Sequence, residues 1–288
     1  ELRADLPVVL LTSFSKEIYR QIEEENCAAL DNIFCWHGNT DLIIAIIKLM
    51  EDRLNAESDI LEGGVQAIML VEDSVRFYST YLPELYKILL VQNSEFLKDA
   101  YNEQQQINRK RSRPKVLLAT NYTDAVDMYA RYKKNLLGVI SDVGLIVKSG
   151  DRSEDEKSDA GIDICKMIKA ETPWMPIIMQ SSQVNYRSVA ESLGVGFIAK
   201  TSKTLLSELQ DVILREFGFG EFVFRDLHTG AVVGRARDLM QMQELIATVP
   251  DDVLEFHLSH MHLSKWLYSR GLFPLAKVLR SINSSHFS

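Results

Sequence analysis

The sequence has no long apolar run, and this absence excludes a membrane-spanning protein. Its longest apolar segment, Leu42 to Met50, contains Lys48 and is far shorter than the roughly 20 residues that span a bilayer. We therefore expect a buried helix there and no membrane partner. Residues 1–5 do not resemble a secretory signal. They lack an initiator Met and lead almost directly into a strand, so we expect a fragment of a longer protein.

The sequence also has few cysteines and no excess of basic residues. The three cysteines, Cys27, Cys35 and Cys165, have no metal-ligand spacing, and their odd number indicates reduced thiols in a cytoplasmic protein. The formal net charge is −8, which argues against a broad nucleic-acid-binding surface. The basic run from Arg109 to Lys115 has no interleaved aromatic residues, so we interpret it as a solvated linker.

What the sequence does contain is an alternation of short apolar runs and helical periodicity. At 288 residues the chain is long enough for about two domains. From Ala67 onward, five predicted strands alternate with five predicted helices, which favours a parallel sheet with helices on both faces. The strands are predicted at 67–71, 115–119, 136–141, 176–180 and 197–199, and the helices at 75–106, 124–134, 161–170, 186–193 and 205–217.

The two ends of the chain differ from this central part. Before it, strands are predicted at 7–11 and 32–36, with helices at 15–28 and 41–56. After it, the pattern predicts a strand at 221–225, a turn at 228–230, a helix at 236–248 and further helices from 250 and 264. We expect this tail to be a separate, mainly helical module.

Charged and hydroxyl residues follow the predicted central strands. Glu72 and Asp73 end the first, Asp142 the third, Ser181 the fourth and Lys200 the fifth. Open parallel sheets gather such strand-end residues in one crevice. Carboxylates meeting there repel unless a cation lies among them, and Mg²⁺ binds one or two carboxylates together with phosphate oxygens. A carboxylate can also accept a phosphoryl group while metal and lysine neutralise its charge.

These five residues, in this order and strand context, resemble the receiver domain of two-component response regulators over residues 66–217. The resemblance implies a flavodoxin-like, doubly wound, five-stranded parallel sheet of order 2-1-3-4-5. It implies that Asp142 is the phospho-acceptor, that Asp73 ligates Mg²⁺ directly and Glu72 through water, and that the Gly144 carbonyl is a further ligand. The remaining implied roles are a switch hydroxyl, a switch aromatic and a phosphate-binding lysine, which fall on Ser181, Phe197 and Lys200.

The sequence departs from the family pattern around this site. Asp142 is followed by Val143 and Gly144 instead of the usual Met-Pro pair, and the glycine expected soon afterwards comes late, at Gly161. The intervening loop is long and acidic, and the first helix is extended. Thr201 replaces the common proline after the lysine, which puts the usual cis peptide there in doubt.

The flanking parts have resemblances of their own. Residues 1–62 resemble the last half of a second, degenerate receiver in which Trp36 replaces the lysine, so this unit is expected not to be phosphorylated. It would complete its sheet with upstream residues or pair with the other unit. Residues 218–288 weakly resemble a helical region of phosphoenolpyruvate-synthase-like bacterial proteins, through 235–239, 249–250, His257, 264–267 and 275–276.

Several residues have simpler interpretations. The strand-end acids could be solvated, Ser181 could be a helix cap and Phe197 could belong to the core. A haloacid-type phosphatase is disfavoured because Gly144 stands where a second aspartate is needed. His257, His260 and His262 suggest a metal cluster, but on one helix His262 does not lie well with the other two, so we interpret them as surface or packing residues.

Three functional hypotheses follow. The first is a cytoplasmic, bacterial signalling protein that accepts a phosphoryl group on Asp142 from a histidine kinase or phosphotransfer protein, with no enzymatic activity beyond its own phosphorylation and dephosphorylation. The second is a tandem of receiver folds that is never phosphorylated and serves docking or homodimerisation. The third is a regulatory amino-terminal part of a phosphoenolpyruvate-synthase-like enzyme.

Overall fold

The computed structural model describes residues 6–13, 30–98, 112–148 and 157–281. The nine strands of these ranges form three sheets. They are β1 (Val9–Thr12), β2 (Asn32–Cys35), β3 (Ala67–Val71), β4 (Lys115–Ala119), β5 (Leu136–Asp142), β6 (Ile177–Ser181), β7 (Gly196–Ala199), β8 (Phe222–Arg225) and β9 (Val232–Ala236).

Helices flank the central sheet on both faces. Within the described ranges the α-helices are α1 (Asp41–Ala56), α2 (Val75–Lys98), α3 (Tyr122–Tyr132), α4 (Ala160–Glu171), α5 (Tyr186–Ser192), α6 (Leu205–Glu216), α7 (Leu239–Ile246), α8 (Asp251–Ser259), α9 (His262–Ser269) and α10 (Phe273–Ser281). The predicted helix at 15–28 and the end of the predicted helix at 75–106 lie outside the described residues.

The central sheet confirms the predicted fold class. Its parallel strands have the spatial order β4-β3-β5-β6-β7, which is the flavodoxin-like order. Alternate residues of one strand enter different cores: Ile68 and Leu70 face α2 and α6, whereas Met69 faces α3 and α4. The strands are almost wholly apolar because helices cover both faces of the sheet.

The amino-terminal unit packs directly on this central fold. Strands β1 and β2 pair in parallel, and α1 lies against α2 and β4. Phe34 and Leu42 belong to the same core as the α2 face of the central sheet. The backbone of β2 is also tied to α2, because Cys35 N donates to Ser79 Oγ at 2.9 Å.

A buried ion cluster at the start of β4 corrects one prediction. The Arg113 guanidinium donates to both oxygens of Asp52, at 2.5 and 3.2 Å, and Asp52 is fully buried. Lys115 lies 3.5 Å from Asp52 and 2.6 Å from Asp59. Tyr86 Oη completes this basal ion cluster by donating to Asp52 at 2.9 Å. The prediction of a solvated linker was therefore wrong for Arg113 and Lys115; residues 109–111 lie outside the described ranges.

The tail differs from its prediction in two ways. Residues 232–236 form the second strand of an antiparallel hairpin with β8, so the predicted helix at 236–248 begins only at Leu239. Asp238 caps that helix by accepting from Gln241 N at 2.8 Å. The tail is also less separate than expected, because Phe224 and Trp266 share a core with Phe217, which directly follows α6.

Trp266 of α9 and Arg270, which directly follows α9, hold the segment that follows α6. Trp266 Nε1 donates to the Gly220 carbonyl at 3.0 Å, and Arg270 donates to the carbonyls of Gly218 and Gly220 at 2.8 and 2.9 Å. The Arg270 guanidinium lies 3.7 Å from the Trp266 ring centre. We call this arrangement the α9 clamp; it ties the tail to the segment that follows α6.

Two further observations complete the comparison with the sequence. Within the described ranges, no helix combines the length and the apolar character that crossing a membrane requires. Cys35 and Cys165 are buried, and Cys27 lies outside the described residues; that the cysteines are reduced thiols stays a prediction.

Candidate functional site at the sheet rim

The carboxyl ends of β3, β5 and β7 bring four of the predicted site residues together. Glu72 and Asp73 follow β3, Asp142 ends β5, and Lys200 follows β7. One carboxylate oxygen from each of the three acids lies within 4.8 Å of the others. The parallel register explains this, since Val71 pairs with Ser141 and all three strands end at the same edge. We call this group the rim site.

Among the described residues, Lys200 is the cation that contacts the acids of the rim site. Its Nζ lies 2.7 Å from Glu72 Oε2 and donates to Asp142 Oδ2. The side chains of Lys200 and Glu72 are 3 % and 0 % exposed, whereas that of Asp142 is 13 % exposed. Asp142 is therefore the rim carboxylate of this pair that solvent reaches. The ring of Phe77 lies beneath the ammonium group, 4.2 Å from Nζ to the ring centre.

The third acid is held by the chain that follows Asp142. Asp73 Oδ2 accepts from Ile146 N at 2.9 Å, and the Ile146 carbonyl accepts from Tyr122 N at 2.9 Å. The base of the long loop is closed by backbone bonds between Leu145 and Lys157, at 2.9 and 3.2 Å. The extended loop thus leaves and rejoins the rim at one fixed point; residues 149–156 lie outside the described ranges.

Gly161 is required by the close approach of α4 to the end of β5. A Cβ at this position would lie 1.7 Å from the Asp142 carbonyl oxygen, a distance that no side chain tolerates. Gly161 N donates to the Val143 carbonyl at 2.8 Å. The glycine that comes late in the sequence is therefore placed directly against Asp142, because the paired residues Leu145 and Lys157 bring the chain back.

The charges of the rim site are unbalanced. Burial raises the pKa of Glu72 well above its usual value, the Asp142 carboxylate raises it further, and Lys200 only partly opposes both effects. Burial acts to lower the pKa of Lys200, but Glu72 and Asp142 outweigh this effect and raise that pKa. Three carboxylates face one lysine, so a cation would relieve their repulsion.

The other predicted site residues lie nearby, with different local contacts. Ser181 is buried, and its Oγ accepts from Gln183 N at 3.1 Å. Phe197 is half-buried under the Arg187 guanidinium, 5.0 Å from its ring centre. Gly144 is buried in the turn after Asp142. The peptide bond between Lys200 and Thr201 is trans.

Two buried polar side chains beside the rim site were missed by the sequence analysis. The hydroxyl of Tyr81 and both amide atoms of Gln180 find no hydrogen-bond partner in the described part of the chain. Burial raises the pKa of Tyr81, and the carboxylates of Glu72 and Asp142 raise it further, which places its ring close to the acids. Gln180 pairs with Asp142 across the sheet; a glutamine in an otherwise apolar strand was the signal available in the sequence.

The prediction for the tail histidines was wrong in one respect. His257 Nδ1 and His262 Nδ1 are 3.0 Å apart, although we expected His262 to point elsewhere. Met261 adopts a left-handed conformation with φ 57°, which ends one helix and starts the next, so the two residues do not follow the geometry of a single helix. Within the described residues, the three-ligand group with metal-binding geometry is the rim site.

The donor set of the rim site fits a hard divalent cation. Three carboxyl groups supply oxygen ligands, which Mg²⁺ prefers, and a bound cation would favour their charged forms. The acids could hold a metal ion.

Comparison with known proteins gives limited information. No family matches the chain, and no curated protein matches it either. Among solved structures, one similar chain is a response regulator receiver domain protein from Clostridium thermocellum, with 19 % identity and a TM-score of 0.31, covering 52 % of this chain and 91 % of that one. The flavodoxin-like fold stated above rests on the strand order of this chain.

Proposed function

We propose that this chain is a phosphoryl-accepting signalling module in which Asp142 receives the phosphoryl group from a histidine kinase or phosphotransfer protein. The observation that carries the proposal is the contact of Lys200 with both Asp142 and Glu72 beside Asp73. A carboxylate nucleophile, acids for a cation and a lysine for phosphate charge are the groups that this transfer needs.

The residues of the rim have distinct roles in this proposal. Asp142, the more exposed of the two carboxylates at Lys200, attacks the phosphorus atom and the donor's leaving group departs. Asp73 and Glu72, with the carbonyl of Gly144, would hold Mg²⁺, which neutralises charge on the phosphoryl oxygens. Lys200 already contacts Asp142 and would move its ammonium group onto a phosphoryl oxygen.

The contacts of Ser181 and Phe197 give the switch in this proposal. A phosphoryl group adds about −1.5 to −2 charges, so it favours rotation of the Ser181 hydroxyl away from Gln183 N and toward the phosphate. The space that the Ser181 hydroxyl leaves would allow the Phe197 ring, which is half-buried in this structure, to become more deeply buried. The resulting change in the β6–α5 loop alters contacts with a partner or with the tail.

The proposal is tested by titrating the protein with beryllofluoride, an analogue of the bound phosphoryl group, in the presence of Mg²⁺. We expect saturable binding to the native chain, seen as a rise in thermal midpoint, and none to Asp142→Asn. Asp127→Asn is the matched control, because Asp127 is exposed on α3. Equal binding to the Asp142→Asn variant, or no binding to the native chain at millimolar Mg²⁺, would reject the proposal.

A second candidate function, docking or homodimerisation without phosphorylation, is supported by an exposed apolar face on α1. Ile43, Ile44 and Ile47 are 45 %, 50 % and 59 % exposed, and grouped exposed apolar residues indicate interaction surfaces. Sedimentation of native protein and of Ile44→Asp, with Lys48→Asp as a matched control on the same helix, tests it. A concentration-dependent dimer lost only in the Ile44 variant supports this function; a monomer at all concentrations opposes it.

The third hypothesis concerns residues beyond this chain. A regulatory role within a phosphoenolpyruvate-synthase-like enzyme depends on the weak resemblance of the tail and stays a prediction. Sequence flanking residues 1 and 288 in the intact gene product tests it directly.

A further inference from the structure

A large cleft separates the amino-terminal ends of β6 and β7 from the tail, at the end of the sheet opposite the rim site. Its volume is about 660 Å³, within the range of small-molecule sites. One wall is formed by the central fold, including Ile177 and Gly196, and the other by β8, α8 and α9. The proposed function uses one residue of this cleft, Phe197, which lies in its wall, and none of its charged residues or histidines.

The walls of this cleft carry an excess of positive charge in an acidic protein. Four cationic residues line it against two acids, Glu216 and Glu221. Glu221 is already paired with Arg235 and Arg237 outside the cleft. The net charge of the whole chain is −8, so a local surplus of cations is not a consequence of composition. The four cations are Lys169, Arg215, Arg225 and Lys265.

Two of these cations, Lys169 and Lys265, donate hydrogen bonds to backbone carbonyl groups and form no ion pair within the described residues. Lys169 Nζ donates to the Pro173 carbonyl at 2.9 Å, and Lys265 Nζ donates to the Trp174 carbonyl at 3.2 Å. These carbonyls follow one another directly, so both ammonium groups are drawn to the same turn. Burial lowers the pKa of Lys265 to about 7, Lys169 and Arg280 lower it further, and Glu216 only partly opposes these effects.

The same cleft offers a neutral polar group and aromatic surface. His257 is 8 % exposed and lines the cleft. Its Nδ1 is paired with His262, while its Nε2 finds no partner among the described residues. Phe222, Trp174 and Trp266 contribute aromatic wall. A buried polar atom without a partner is uncommon and is satisfied when a ligand supplies the missing hydrogen bond.

We propose that this cleft is a binding site for an organic phosphate of about the size of a nucleoside monophosphate. The phosphate would be held by Lys169 and Lys265, the ring system would lie against the aromatic wall, and a polar group of the ligand would reach His257 Nε2. Because the cleft joins the central fold to the tail, occupation would brace the tail against β6 and β7. The groups that would hold the ligand, Lys169, Lys265 and His257, are not part of the rim site, so binding does not require the proposed phosphorylation, although the switch residue Phe197 lines the same cleft.

The test is a calorimetric titration with AMP, adenosine and inorganic phosphate at constant ionic strength, with EDTA present to exclude metal-dependent binding at the rim. We expect AMP to bind and adenosine and inorganic phosphate each to bind at least tenfold more weakly. Asp142→Asn should bind AMP like the native chain, whatever the outcome of the beryllofluoride experiment.

Variants identify the cleft as the place of binding. Lys265→Met and Lys169→Met should each weaken AMP at least tenfold, whereas Lys166→Met should not, because Lys166 is exposed on the same helix as Lys169. The thermal midpoint without ligand should rise in Lys265→Met, which verifies that this variant folds. If Lys265→Met does not fold, Lys169→Met alone decides the question.

Four results would overturn the proposal. They are the absence of AMP binding at millimolar concentration, adenosine binding as tightly as AMP, inorganic phosphate binding as tightly as AMP, and equal weakening by Lys166→Met and the cleft variants.

Discussion

Two buried ion clusters lie at opposite ends of the same sheet, and their charges differ. The basal ion cluster matches two carboxylates, Asp52 and Asp59, with two cations, Arg113 and Lys115. The rim site places three carboxylates around Lys200. A balanced cluster needs nothing further and fastens α1 to β4. The unbalanced one has repulsion that a cation or a change of charge can relieve, which distinguishes a site from a structural contact.

The largest effect that we predict for a single substitution is on the basal ion cluster. Asp52→Asn would leave the Arg113 guanidinium buried without its counter-ion, which costs about 3–5 kcal/mol of unfolding free energy. Urea unfolding measures the loss. Glu57→Gln is the control, because its pair with Arg131 is exposed on both sides and such pairs contribute only about 0.2–1 kcal/mol. Equal losses in the two variants would remove the distinction between the clusters.

The histidine pair of the tail is a third ionisable cluster, and it should determine how stability changes at acidic pH. Burial lowers the pKa of His257 to about 4 and that of His262 to about 3. Below about pH 6.5 the unfolded chain binds more protons than the folded one, so stability falls as the pH drops from about 6.5 to 4, by about 1.4 kcal/mol per pH unit for each histidine.

Thermal midpoints measured across this pH range test that prediction. His257→Phe removes one of the two groups while keeping the contacts with Phe222 and Phe224, and it should flatten the acid slope. An unchanged slope would show that other groups cause the acid lability.

A smaller effect is expected from Gly161→Ala beside the rim site. The added methyl group would meet the Asp142 carbonyl, and the forced shift of α4 should cost about 1–3 kcal/mol. It should also weaken beryllofluoride binding, since the backbone of the acceptor moves. Gly196→Ala is the matched control, because the nearest atom to its Cβ is 3.5 Å away; a loss of similar size there would contradict the explanation.

The smallest effect has the opposite sign and tests the comparison most directly. Without divalent metal, Asp142→Asn should raise the unfolding free energy by about 1 kcal/mol, because it removes repulsion with two acids, Glu72 and Asp73, and loses attraction to one cation, Lys200. Adding Mg²⁺ should stabilise the native chain and have little effect on the variant. A destabilised variant in EDTA would indicate that the rim is balanced like the basal ion cluster.

The central sheet could be predicted from the sequence because its strands are buried on both faces. Such strands are uninterrupted apolar runs in the sequence. It also predicted that Glu72, Asp73, Asp142 and Lys200 follow those strands. Their distances and their unequal exposure needed the structure, because burial depends on the helices packed around the rim.

What the sequence concealed depended on contacts between distant residues or on a single backbone angle. Asp52 and Arg113 are 61 positions apart, and Arg113 belongs to a basic run that reads like any solvated linker. The approach of His262 to His257 depends on the left-handed conformation of Met261. Strand β9 was missed because its valines are exposed, so no alternation of buried and exposed residues marks it.

The α9 clamp has a mechanical consequence. Lys200 is followed within a few residues by α6, and the far end of that helix is gripped through the carbonyls of Gly218 and Gly220. A displacement of the amino-terminal end of α6 would therefore be passed on to the tail, because the clamp holds the segment between them. In this arrangement α6 would connect the rim site mechanically to the tail.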